Sequence, residues 1–200
     1  MLPAFPVPLE GPRVLLRPYA PEDGASLKAA VDETREALLR WMSWGDDHRT
    51  VERAEAFCAS SRLRFEARED FTLAILERRP GRLLGGSGLH VKDAAARHFE
   101  LGFWIRASAE GRGYVQETVR LVAEAAFERM GANRLAVTCD ADNERSRRVI
   151  ERAGFPFEGR LRRNGVRPDG SLRDTLVFAM AREDFEEARA AWDAGPVPGG

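Results

Sequence analysis

Residues 98 to 115 read His-Phe-Glu-Leu-Gly-Phe-Trp-Ile-Arg-Ala-Ser-Ala-Glu-Gly-Arg-Gly-Tyr-Val, an apolar strand joined by a Gly-x-Gly turn directly to a helix. From Arg112 the helix runs to about Met130, with Val115, Val119, Val122, Ala126, Phe127 and Met130 on one stripe, and Asn133 to Cys139 is again a strand. Strand, helix, strand in this order implies a right-handed parallel crossover. Glycines let the backbone approach a ligand closely, and the first free amides of a helix suit a pyrophosphate. The junction is therefore both a fold constraint and a candidate anion site.

The 200 residues, 44% of them apolar, suffice for one domain with a sizeable core. With 31 basic and 32 acidic residues there is no global electrostatic footprint for nucleic acid or an anionic membrane. Cys58 and Cys139 stand in apolar patterns without CxxC spacing and read as buried free thiols in a reducing compartment, which points to the cytoplasm. His48, His90 and His98 have no metal-ligand spacing and read as surface or strand-edge residues; no metal site is expected. No apolar stretch reaches membrane-spanning length, and the proline-broken start is not a signal peptide.

Arg13 to Arg17 is a short strand ended by Pro18, and Pro21-Glu-Asp-Gly opens a helix with Leu27, Ala30, Val31, Leu38 and Trp41 at helical period. A second helix starts at Thr50, its N-cap. Phe71 to Glu77, Leu83 to His90 and 98 to 105 form an antiparallel meander, the first pair joined by the turn Arg79-Pro-Gly-Arg82. Asn143 or Asp142 caps a short helix that ends at Gly154, and a Phe155-rich strand follows. Arg162 to Arg173 reads as a basic loop, Thr175 to Met180 as a strand, and 183 to 193 as a last helix. Residues 194 to 200 are too poor in core formers to be ordered.

The order of Gly111-Arg-Gly-Tyr after a meander strand, then Asn143-Glu-Arg-Ser146 and Gly154-Phe155 after the next, resembles the GNAT N-acetyltransferases, which bind acetyl-coenzyme A. Arg40-Trp-Met-Ser-Trp, Glu100-Leu-Gly-Phe-Trp-Ile, Gly-Arg-Gly-Tyr-Val-Gln-Glu and Asp174-Thr-Leu-Val-Phe-Ala are similar to runs in the branch holding the ribosomal-protein N-terminal acetyltransferases. The resemblance covers about residues 10 to 182 as one domain. It implies the α/β (α+β) GNAT fold: a mixed, mostly antiparallel sheet of six or seven strands flanked by helices, with one parallel crossover at the acetyl-CoA site.

It further implies that the amides of Gly111, Arg112, Gly113, Tyr114 and Val115 hold the phosphates, and that Trp104, Ile105 and Arg106 run beside the pantetheine arm. The loop departs from the family pattern at Glu110, where a carboxylate beside a pyrophosphate is repulsive by about 1 kcal/mol at 4 Å in water, and at Val115, which adds bulk. Glu100 is the candidate base and Asp174 the second choice. The tyrosine that many members use as acid has no counterpart, since the only tyrosines are Tyr19 and Tyr114; Ser146 takes its place, or merely orders the helix start. Asn143 holds the pantetheine or the turn, and Trp41 and Trp44 wall the acceptor channel or pack in the core.

The function implied is acetyl transfer to a primary amine, a protein N-terminus or a small amine, by direct attack in a ternary complex. A non-catalytic coenzyme A sensor, motivated by Glu110 and the missing tyrosine, and a ligand-free scaffold stay as alternatives. The resemblance leaves a homodimer open.

Overall fold

A computed structural model describes residues 2–42, 44 and 47–194. Its strands are β1 (Leu9–Glu10), β2 (Val14–Pro18), β3 (Asp70–Glu77), β4 (Leu83–Asp93), β5 (His98–Ile105), β6 (Arg134–Asp140), β7 (Phe157–Val166) and β8 (Leu172–Met180). Its helices are α1 (Gly24–Trp41), α2 (Val51–Glu66), α3 (Tyr114–Glu124), α4 (Glu144–Arg152) and α5 (Arg182–Asp193). The strands form one sheet in the order β1-β2-β3-β4-β5-β6-β8-β7, antiparallel except between β5 and β6. Eight strands are present among the described residues, the short β1 included.

Alternation along the strands divides the core between two faces. Phe71, Leu73 and Ile75 of β3, Phe99 and Leu101 of β5, and Leu135 and Val137 of β6 bury against α3, where Val119 and Val122 are fully covered. On the opposite face Ala74 and Leu76 meet Leu27, Ala30, Val31 and Leu38 of α1 and Ala54 and Cys58 of α2. The apolar stripes expected of these helices are the ones buried, except that Trp41 at the end of α1 joins neither cluster. Thr50 caps α2, accepting from Arg53 N at 3.3 Å.

The core reaches beyond residues 10 to 182. Phe5 stacks on Phe71 at 5.2 Å, and Phe185 of α5 stacks on Phe127 at 4.7 Å, so both ends of the described chain pack into it. Helix α3 widens after Glu124, with Met130 N donating to Ala125 O, before Gly131 ends it at φ +64°.

The segment expected to be a basic loop, Arg162 to Arg173, is instead the tip of the β7–β8 hairpin, paired from Phe157↔Phe178 to Val166↔Leu172. Its strand character is hidden in the sequence because β7 is an edge strand whose two faces are both largely exposed, so no alternation marks it. The tail from 195 onward lies outside the described residues, as do Ser43 and Gly45 of the α1–α2 linker.

Candidate functional site

The parallel pairing of β5 with β6 is short: it runs from His98↔Arg134 to Glu100↔Ala136 and stops. From Leu101 to Ile105, β5 keeps its antiparallel partner β4 on one side and, among the described residues, has no ladder partner on the other. Backbone amides and carbonyls along this stretch are thus available to a ligand that enters as an extra strand.

The same strand leads into the glycine turn. Gly111 and Gly113 both take positive φ, +72° and +78°, which a side chain would strain, and Gly113 is the N-cap from which α3 begins at Tyr114. The helix therefore starts two residues later than its sequence pattern suggests. A Cβ on Gly111 would meet nothing within 4 Å, so that backbone faces open space. Free amides at the positive end of an amphipathic helix packed by one face on the sheet fit a pyrophosphate.

Two contacts from outside hold this turn. Arg13 Nη1 donates to Arg112 O at 2.7 Å, and Glu117 of α3 accepts from the amides of Arg13 and Val14 at 2.8 and 3.0 Å. On the other side Glu33 of α1 accepts from Ser108 N at 2.7 Å, and Thr34 Oγ1 accepts from Ala107 N at 2.9 Å. The Arg106 guanidinium lies against Glu33 and the Leu83 carbonyl, so its charge is committed within the protein. The Arg106 hydrogen bond, with those of Ser108, outweighs desolvation and holds the Glu33 carboxyl down at about 2.

Glu110 forms an ion pair with Arg145 of α4. The carboxylate that would oppose a pyrophosphate is thereby neutralised by a cation from the neighbouring helix. Asn143 caps α4, its Oδ1 accepting from Ser146 N at 3.1 Å, so of the two roles considered for Asn143 the turn-holding one is visible. The turn is set by Asp140, which is 3% exposed and receives Arg167 Nε at 2.7 Å and Nη2 at 2.9 Å from the hairpin tip. Burial pushes the Asp140 carboxyl up, but Arg167 and the Asp142 amide outweigh it and hold it below the usual range.

On the face opposite α3 a cavity of about 520 Å³ lies between the α1–α2 linker and the sheet. Its walls are aromatic: Trp44, Trp104, Phe57 and Tyr19 line it, with Trp44 edge-on to Trp104 at 5.7 Å. Gly86, Gly102 and Phe103 form part of its floor, which brings it to the stretch of β5 that lacks a second partner strand. Trp41 does not line it; its ring lies beneath the Arg40 guanidinium.

Glu100 is placed elsewhere. Its Oε1 accepts from Thr138 Oγ1 at 2.9 Å, and Lys92 Nζ lies 3.0 Å from Oε2, while the cavity lining does not include it. Burial raises the Glu100 carboxyl, but Lys92, Thr138 and the nearby His90 bring it net below its ordinary value. Asp174 accepts from Arg163 N and Arg160 Nε, both at 2.7 Å, and these hold it low as well.

One histidine departs from the surface or strand-edge reading, while His90, its side chain 43% exposed on β4, keeps to it but has a partner. His48 is 4% exposed, edge-on to Phe57 at 4.7 Å, and burial lowers its pKa. His90 stands opposite Asp70 in the β3–β4 register, and its Nδ1 is 2.7 Å from Asp70 Oδ1. Both line the cavity. No short motif could reveal a pair that sheet register assembles from residues 20 apart.

Comparison with known proteins now bears on this site. Residues 13–156 match the family model described as "Acetyltransferase (GNAT) domain". The chain belongs to the GNAT acetyltransferases. It is an acetyltransferase enzyme whose donor is acetyl-CoA. It is 26% identical over 174 residues to the Bacillus subtilis protein named "Putative ribosomal N-acetyltransferase YdaF", covering 86% of this chain and 93% of that one. "Probable N-acetyltransferase YjcK" of the same organism is 29% identical over 182 residues, covering 90% and 99%. Among solved structures, Mycobacterium smegmatis RimJ in complex with CoA-disulfide superposes with a TM-score of 0.83 at 25% identity, covering 96% of this chain and 98% of that one. These relatives support the ribosomal-protein acetyltransferase-like branch of the family.

Proposed function

We propose that this GNAT enzyme acetylates primary amines, with the α-amine of a protein N-terminus as the favoured class and a small amine as the wider one. The observation that carries the reading is the aromatic cavity, which meets the open stretch of β5 from the face opposite the glycine turn. Donor and acceptor would thus approach one strand from two sides and react by direct attack in a ternary complex. The name of YdaF, which calls that relative a ribosomal N-acetyltransferase, supports a protein acceptor.

In this reading the amides of Gly111, Arg112, Gly113, Tyr114 and Val115 hold the pyrophosphate. Trp104 and Ile105 flank the pantetheine through their backbone, with Arg106 contributing backbone only. Val115 is partly buried against the core, so its bulk is directed inward and its amide stays available. Holding amine and thioester together supplies most of the acceleration. Ser146, in the first turn of α4, returns a proton to the departing thiolate, and Asn143 fixes that turn. The Glu110–Arg145 pair removes the electrostatic objection that favoured a non-catalytic sensor.

The test is thiol release from acetyl-CoA with three probes: a peptide with a free N-terminus, the same peptide N-acetylated, and the N-acetylated peptide carrying a lysine. Release with the free N-terminus alone supports the α-amine reading. Release with the lysine probe alone would redirect it, and coenzyme binding without release for any amine would restore the sensor alternative.

A further inference from the structure

Asp70 is 5% exposed, and both of its oxygens are used: Oδ1 faces His90 Nδ1 at 2.7 Å and Oδ2 accepts from Thr72 Oγ1 at 2.7 Å. Burial pushes the Asp70 carboxyl up, but its contacts with His90, Thr72 and Arg64 more than offset this and keep it ionised. An ionised carboxylate can only accept, so Nδ1 of His90 carries the hydrogen. In the neutral ring Nε2 then holds a free lone pair.

The ring packs against two glycines. A Cβ on Gly88 would come within 2.9 Å of the imidazole, and one on Gly102 within 3.3 Å of Nε2 itself. Any other residue at Gly88 would displace the ring. Nε2 therefore stands over Gly102, in the part of β5 just past the end of its pairing with β6, and it borders the aromatic cavity. Asp70, His90 and Glu100 share one transverse row of the sheet, yet only the first two line that cavity.

From this geometry we infer that His90 is the general base for the acceptor amine and that Asp70 is its positioning residue. The inference rests on the proposed amine-acetyltransferase reading. The amine nitrogen bonds to the thioester carbonyl carbon, the C–S bond breaks, and His90 Nε2 takes the proton that the amine loses. The thiolate leaves with its electron pair and is protonated to the free thiol, and the imidazolium returns its proton to solvent. Glu100, held by Lys92 and Thr138, adds negative charge near the imidazolium and does not touch the amine.

The groups facing His90 are Asp70 from β3, Arg64 from α2, Lys92 from β4 and Glu100 from β5, with Asp47, His48, Arg53 and Tyr19 around the cavity. Steady-state rates with acetyl-CoA and a peptide bearing a free N-terminal alanine test the assignment. His90→Gln is expected to lower kcat by about 10²-fold or more with coenzyme A affinity unchanged. It should also abolish the fall in kcat/KM toward acid that an imidazole base imposes, and added imidazole should partly restore His90→Ala. Asp70→Asn should lower kcat less and move the acid limb.

If the wild type turns over the peptide and His90→Gln matches it in rate and pH profile, the base assignment falls and the acetyltransferase reading stands. If the wild type acetylates no amine, that reading falls, and the base assignment falls with it. Nitrogen-15 NMR of the full-length protein reads the geometry independently. The expected result is the Nδ1–H tautomer at His90, lost in Asp70→Asn; an Nε2–H tautomer in the wild type overturns the inference whatever the kinetics.

Discussion

Arg145, in the first turn of α4, forms an ion pair with Glu110, the residue immediately before the glycine turn. Two elements far apart in sequence thus pair the carboxylate that would oppose a phosphate at the proposed coenzyme loop. Arg145→Gln leaves the Glu110 carboxylate uncompensated. It is expected to weaken coenzyme A binding about fivefold, from roughly 1 kcal/mol of repulsion. Glu110→Gln should bind more tightly than wild type. Calorimetric Kd values at two salt concentrations check both, and the differences should shrink as salt rises.

The glycine turn itself can be probed by one methyl group. Gly113→Ala forces a side chain into φ +78° and toward the Arg13 guanidinium, 3.1 Å from the new Cβ. Unfolding in urea should show a loss of about 1 kcal/mol. Gly111→Ala meets no protein atom, so its stability cost should be that of the backbone strain alone. A larger loss of coenzyme A affinity than of stability would place the phosphate against Gly111.

Asp140 and Arg167 hold the turn from β6 into α4, and the Asp140 side chain is 1% exposed. Removing the cation strands a buried carboxylate. Arg167→Ala is expected to cost about 3 kcal/mol in denaturant unfolding. Arg167→Lys, lacking the planar fork that engages both Asp140 oxygens, should recover only part of this.

Acid should loosen the approach to the glycine turn through Glu33. Its carboxyl is lowered from 4.5 to about 2 in the folded chain, so its contribution is fully present above about pH 4.5. It is lost as the pH falls from there toward 2. Glu33→Gln should therefore lower stability above about pH 4.5, pH 7 included, and converge with the wild type toward pH 2, flattening the acid limb in that window. Thermal melts across pH check this.

Much of this architecture is legible in local pattern. The stripe Val115, Val119, Val122 marks α3, the Pro-Gly turn marks the β3–β4 hairpin, and Gly111 and Gly113 announce the positive φ they adopt. Local pattern fails where a strand is exposed on both faces, as in β7, and where chemistry is assembled by register. Glu100 had the right strand and an ionisable side chain, but the same strand pairing that orients it also delivers Lys92 and Thr138 to its oxygens. His90 carried no motif because its partner comes from the adjacent strand and its floor from Gly88 and Gly102.

The cavity walls offer a separate check on the acceptor side. Trp44→Ala removes an aromatic wall that belongs to the linker and packs edge-on against Trp104. It is expected to raise KM for a peptide acceptor several-fold with little change in the Kd for coenzyme A, since the proposed donor site is on the opposite side of β5.

The most direct measurement of the central claim, that the acetyl group passes straight from coenzyme to amine across β5, is a two-substrate velocity matrix. Acetyl-CoA and a peptide with a free N-terminus are varied together, and thiol release is followed with mass detection of the product. The expected result is amine-dependent release, intersecting reciprocal plots and one acetyl group on the peptide. Parallel plots, or coenzyme binding with no acetylated amine, would contradict it.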